Sequence, residues 1–326
     1  MSSPPVEEFE RTEKASLPRW QAGNNPQHIL VTIMGDFWVS RPEYLPSAAL
    51  VEFLDDLGVS ADGARAALSR LSRRGVLAAT KSGRNTFYRF ERTMSPEAVR
   101  TGSAIMRFGE QLPWSGEWTL CAFSLPESRR ETRNLVRGRL RGLGYMPVYD
   151  GLWASPRSIS DETIEALDDL GIETGSVFSA REHSRSDRAG TASAWDLTAV
   201  EASYAAFSDE WEKVAEEIGR GRLSPQRAFI ARSLLMDEYR RFLDIDPALP
   251  AAVLPEHWAG ERARRLFHDL YDALAPLAVA YVQGTVARFD PDTAPLVHTH
   301  AATLRARGAK GVADCDMCIP AAQWPE

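Results

Sequence analysis

Residues 64–75 read ARAALSRLSRRG, with four arginines and no acid. Arginines at this density bind phosphate oxygens, because the guanidinium fork stays charged and matches their geometry. From Val59 to Arg92 the chain has eight Lys or Arg against Asp62 and Glu91, a net of +6 within a whole-chain formal charge of −7. The positive charge is therefore a local device on an acidic protein, and its partner should be a local anion. Two further groups could do chemistry. The segment ESRRETRNLVRGRLRG carries six arginines and two glutamates. His298-Thr-His300 and Cys315-Asp-Met-Cys318 supply two imidazoles and two thiols, a plausible tetrahedral zinc set. CxxC is a normal half-site but HxH is not the usual second half, so the competing reading is simple packing of the tail, and no metal is assigned. No nucleophile–base–acid set, HExxH, GxSxG or P-loop occurs, so no catalytic residues are assigned.

The elements around the basic run explain its placement. On a 3.6-residue helix Ala64, Leu68 and Leu71 fall on one face, while Arg65, Ser69, Ser72 and Arg73 point elsewhere. Ala66 and Ala67 are expected to keep the outer surface low. Two helices should precede it. NPQHILVTIMGDFWV has Asn25 and Pro26 as start signals and an apolar face of Ile29, Leu30, Ile33, Met34 and Phe37; AALVEFLDDLG buries Leu50, Phe53, Leu54 and Leu57. VLAATKSGRNTFYRF follows as a hairpin turning at SGRN. Helix, helix, basic helix and basic hairpin is the order of a winged helix-turn-helix, whose recognition helix enters the major groove of double-stranded DNA. Arg65 and Ser69 are expected to reach base edges. Arg70, Arg73, Arg74, Lys81 and Arg84 are expected at phosphates. The competing reading is a solvated basic helix face.

The rest of the chain reads as a multidomain α+β protein. Residues 1–24, rich in Ser, Pro and Glu, are expected as a flexible arm and 25–92 as the winged unit, with 93–116 as a connector. Residues 117–190 follow the order β-α-β-β-α-β of a ferredoxin-like domain. Residues 191–287 are wholly helical in pattern, and 288–326 look like an irregular tail. Three cysteines suggest a reducing, cytoplasmic setting. No signal-peptide pattern occurs, and the longest apolar run, LAPLAVAYV, is far short of a membrane span, so no membrane partner is expected.

At this point the sequence resembles the PaaX-type regulators, repressors of phenylacetate catabolism. The matching stretches are ILVTIMGDFW, GVSADGARAALSRLSRRGVL with SGRNTFYRF, EWTLCAFSLPESRRETRNLVRGRLRGLGYMPVYDGLWASP, and DEYRRFLDIDPALPAAVLPEHWAG with LFHDLYDALAP, spanning about residues 27–283. The resemblance implies a Cas2-like central domain, a helical C-terminal domain, and a homodimer on an inverted-repeat operator. It also implies release by an acyl-CoA thioester, typically phenylacetyl-CoA. The alternative class is a Cas2-like metal-dependent nuclease. Such nucleases place a metal-binding Asp after the first strand, where this chain reads CAFSLPE with Ser124.

If an aryl-CoA is the effector, Arg130, Arg133 and Arg137 are candidates for its phosphates. Tyr149 and Trp153 could flank the aryl group, with Arg157 as an anchor. The competing readings are contact with the DNA backbone or a solvated helix face for the arginines, and ordinary core for the aromatics.

Overall fold

Asn25 accepts a hydrogen bond from the Gln27 backbone N–H at 3.1 Å, and Pro26 occupies the first turn. Helix α1 (Pro26–Phe37) therefore starts where its capping chemistry places it. This computed structural model describes residues 25–324 except 112, 126–129, 150, 158–160, 170–171, 173–174, 184–190 and 192–194. The expected arm at 1–24 lies outside the described residues.

Every residue of α1 from His28 to Phe37 is buried. The helix is enclosed all round, so the apolar face read from its sequence is only part of its contact surface. Next come β1 (Leu45–Pro46), α2 (Ser47–Asp56), α3 (Ala61–Arg73), β2 (Leu77–Ser82), β3 (Asn85–Phe90) and α4 (Ser95–Arg107). Ser60 caps α3 by accepting from the Gly63 N–H at 3.3 Å. The helix buries Ala64, Ala67, Leu68 and Leu71. It ends in a Schellman motif, with Val76 N–H on Leu71 O, Gly75 N–H on Ser72 O, and Gly75 at φ +68°. The three strands form an antiparallel sheet in the order β1-β3-β2.

The central segment contributes β4 (Glu117–Phe123), α5 (Arg130–Gly142), β5 (Met146–Tyr149), β6 (Leu152–Ser155), α6 (Asp161–Asp169) and β7 (Gly175–Arg181). Its sheet order is β5-β6-β4-β7, with every pairing antiparallel. That is the ferredoxin-like arrangement expected from the sequence. Alternation along the strands separates two faces. Cys121 and Trp153 pack with Val136 and Leu140 of α5 and Leu167 of α6. Trp118 and Ala154 pack on the other side with Trp195 and Leu249.

The remaining helices are α7 (Leu197–Gly219), α8 (Pro225–Arg240), α9 (Phe242–Ile245), α10 (Ala259–Ala287), α11 (Ala302–Ala306) and α12 (Ala309–Ala313). None of the described helices is long and apolar enough to cross a membrane. Two compact units cut across this linear order. One combines Met1–Met106, Glu217–Asp237 and Leu270–Glu326; the other combines Arg107–Glu216 and Glu238–Asp269. In the first, Phe37 and Phe53 lie 5.8 and 5.2 Å from Phe229, whose ring is 5.4 Å from Tyr281. Val297, Ala302 and Trp324 of the last stretch are buried in the same unit. In the second, Tyr204 stacks on Phe242 and Tyr239 on Phe267, each at 3.9 Å.

Candidate nucleic-acid interface

Burial of Ala64, Ala67, Leu68 and Leu71 fixes the rotation of α3, and so decides which of its side chains meet solvent. Arg65, Ser69, Arg70, Arg73 and Arg74 are all exposed. Ala67 is fully buried, so the low outer surface expected of the Ala66–Ala67 pair rests on Ala66 alone. Lys81 and Arg84 are exposed at the tip of the β2–β3 hairpin. Its two-residue loop is Gly83-Arg84, with Gly83 at φ +59°, a conformation glycine adopts without a Cβ clash.

These cations are not equally placed. Arg65 is paired with Asp62 at 3.0 Å, one turn earlier on the exposed side of α3. Arg74 donates to Gln27 Oε1 at 3.4 Å. Arg89 and Arg92 serve the fold. The Arg89 guanidinium lies 4.9 Å from the Tyr44 ring and 4.8 Å from that of Trp324, a cation between two aromatic faces. Arg92 donates to Ala321 O at 2.7 Å and Ala322 O at 2.9 Å. Seven of the eight basic residues from Val59 to Arg92 are exposed, Arg92 among them, and Arg89 is half-buried.

In the other unit, Arg137, Arg141, Pro147, Val148, Tyr149, Gly151 and Trp153 line a cavity of about 320 Å³. Three of the effector candidates, Arg137, Tyr149 and Trp153, thus meet in one place. Tyr149 is exposed, whereas Trp153 is buried in the sheet–helix core and shows the cavity only part of its ring. Arg141, which continues the i, i+3, i+7, i+11 spacing of Arg130, Arg133 and Arg137, lies 5.9 Å from the Trp153 ring. Arg133 instead donates to Leu125 O at 3.0 Å. Arg157 reaches over Gly144, close to where a Cβ there would sit. The side chain of Arg130 lies outside the described residues.

The sequence reading missed a buried charged knot. Asp36 accepts from Arg232 Nε and Nη2 at 2.8 and 3.1 Å, from Tyr271 at 2.5 Å and from Thr299 at 3.0 Å. Arg305 Nη1 is 3.5 Å away. Burial alone would raise the Asp36 carboxyl, but Arg232 and Arg305 outweigh it and hold the group at about 2. One cluster among the described residues could hold a metal: His298, His300, Cys315 and Cys318, whose ligand atoms all lie within 4.8 Å of one another. Burial pushes both imidazoles down, His300 to about 4 with the His298 ring as the next cause.

Comparison with known proteins agrees with this architecture. Residues 25–93 match the model described as PaaX-like protein, and residues 111–192 match the PaaX protein central Cas2-like domain. Residues 195–284 match the PaaX-like protein C-terminal domain. Among solved structures, the uncharacterized protein Rv0674 from Mycobacterium tuberculosis has a similar fold, at 20% identity with a TM-score of 0.53 over 81% of this chain and 99% of that one. The class is therefore that of chains carrying a Cas2-like domain between a basic helical unit and a helical C-terminal segment. The transcriptional repressor PaaX of Escherichia coli strain K12 is 31% identical over 262 residues, covering 78% of this chain and 82% of the relative. The chain belongs to the PaaX family.

Proposed function

We propose that this protein is a ligand-responsive transcriptional repressor whose residues 25–92 act as a winged helix-turn-helix. The observation that carries the reading is the division of α3, with four apolar residues buried and Arg65, Ser69, Arg70, Arg73 and Arg74 in solvent beside the basic hairpin tip. A helix of this kind fits the major groove, with the hairpin on the adjoining backbone. The likeness to a relative named as a transcriptional repressor supports the same reading. A homodimer would set two such helices roughly 34 Å apart, or a multiple of it, on an inverted repeat. Ser124 after β4 offers no carboxylate where the nuclease alternative needs one, and that counts against an enzyme.

The effector is an acyl-CoA thioester such as phenylacetyl-CoA. Supporting this is the cavity lined by Arg137, Arg141, Tyr149 and Trp153, at a volume near the lower end for ligand sites, which run from about 300 Å³. A 100-fold change in operator occupancy needs a preference between the two states of only about 2.7 kcal/mol.

The test is fluorescence anisotropy of the full chain on DNA from its own promoter at fixed salt. Tight binding that is lost with phenylacetyl-CoA and kept with free phenylacetate is the expected result. Binding indifferent to the thioester removes the effector, and equal affinity for promoter and random DNA removes the repressor.

A further inference from the structure

We propose that His298, His300, Cys315 and Cys318 bind one zinc ion that fastens the last stretch of the chain to the turn following α1. The four residues come from two short segments with 14 residues between His300 and Cys315, and nothing in the DNA-binding reading uses them. In the fold their ligand atoms converge within 4.8 Å. His298 Nε2 and His300 Nε2 lie 3.4 and 3.0 Å from Cys318 Sγ. With Zn–N near 2.0–2.1 Å and Zn–S near 2.3 Å, a tetrahedral site separates nitrogen from sulfur by about 3.5 Å. The imidazoles and the thiol thus already stand close to the edge lengths of a coordination tetrahedron.

The orientation of the groups is built in as well. His298 Nδ1 lies 3.1 Å from Leu296 O. A carbonyl can only accept, so the ring proton sits on Nδ1 and the Nε2 lone pair faces the cluster. The Cys318 N–H donates to Cys315 O at 3.1 Å, folding the CxxC segment so that both sulfurs belong to one turn. Arg41, which is 5% exposed, donates to the Met317 carbonyl inside that turn. Its charge is answered by Glu43, 2.9 Å from both Nε and Nη2.

The chemistry selects the ion. Two imidazoles and two thiolates form a borderline-soft set that suits zinc, and two thiolates neutralise a divalent charge in a largely buried place. Four protein ligands leave no open position, which makes the site structural rather than catalytic. Its neighbours show what it would hold. Ile319 N–H donates to Ser40 O at 2.9 Å and His298 N–H to Phe37 O at 3.4 Å, so both halves of the cluster rest on the end of α1.

The experiment is metal analysis of the untagged full chain, with cobalt(II) titration of the chelator-stripped protein. One zinc per chain is expected after gel filtration. Cobalt should give the intense bands of a tetrahedral thiolate complex, saturating at one equivalent. The double variant Cys315→Ser/Cys318→Ser should lose the zinc and the cobalt spectrum, and its midpoint of thermal unfolding should equal that of the stripped wild type. Wild-type protein without zinc whose cobalt spectrum is that of the hydrated ion would overturn the site, as would zinc retained by the double variant. Iron at one per chain would overturn the choice of metal. Should the double variant fail to fold, the cobalt spectrum of the wild type decides alone.

Discussion

Replacing Asp36 by Asn should open the unit that carries the basic helix, and the loss should depend on pH in a defined way. The Asp36 and Arg232 side chains are 3% and 0% exposed. Asn keeps the shape but leaves the Arg232 guanidinium without its counter-ion, and breaking such a pair from one side costs about 3–5 kcal/mol. The carboxyl sits at about 2 in the fold against 3.8 ordinarily. Its folded value is depressed, so its contribution is complete above the unfolded value and lost as pH falls through about 2. At about 1.4 kcal/mol per pH unit, the shift corresponds to about 2 kcal/mol, of which about 1 kcal/mol has gone by pH 3. Because the two compact units need not unfold together, the suitable assay is hydrogen exchange of peptides covering α1, read as an opening free energy. The gap between wild type and Asp36→Asn should be about 3–5 kcal/mol at pH 7 and narrower by about 1 kcal/mol at pH 3. A gap that stays constant over this range would refute the claim that an ionised Asp36 holds the knot.

Three further outcomes test the interface and the cavity. Arg65→Ala should cost about 1–3 kcal/mol on the operator and relax discrimination at one base pair, measured by anisotropy on a panel of altered sites; equal losses on operator and random DNA would remove its base-reading role. Lys81→Ala should weaken both kinds of DNA alike and flatten the salt dependence of log K by about one unit; an unchanged slope would take the hairpin tip off the phosphates. Reversing charge with Arg137→Glu and Arg141→Glu, both on the cavity wall, should abolish release by phenylacetyl-CoA while leaving operator affinity within about twofold. A normal response in that pair would place the effector elsewhere.

The parts visible in the sequence were those governed by local spacing. The i, i+4, i+7 pattern of Ala64, Leu68 and Leu71, the stop at Gly75 and the SGRN turn are all decided within a few residues. So are the strands and helices of the central domain, whose order survives into the sheet β5-β6-β4-β7. The invisible parts depend on residues far apart in the chain. Asp36 lies 196 positions from Arg232 and 263 from Thr299, and nothing in MGDFW marks its carboxylate as buried. Arg89 and Arg92 were legible only as charges within the net +6, because their engagement with Trp324 and the Ala321–Ala322 carbonyls depends on where residues 321–324 run. Arg133 shared the helical spacing of Arg137, but its bond to Leu125 O directs it away from the cavity. HxH and CxxC were recognisable by type, while their convergence required the path of the intervening residues.

Those distant bonds also set a timetable for synthesis. Arg41 reaches Met317 and Arg92 reaches Ala321, so the basic unit binds its own last segment across more than two hundred residues. Contacts of such high order form late, because closing long loops costs chain entropy before any bond repays it. A ribosome adding about 5–20 residues per second needs roughly 10 to 50 s to go from residue 92 to residue 324. During that interval Arg41 and Arg92 have been made without the carbonyls they bind. The unit that carries the basic helix thus completes its own packing only after residues 317–322 have been made.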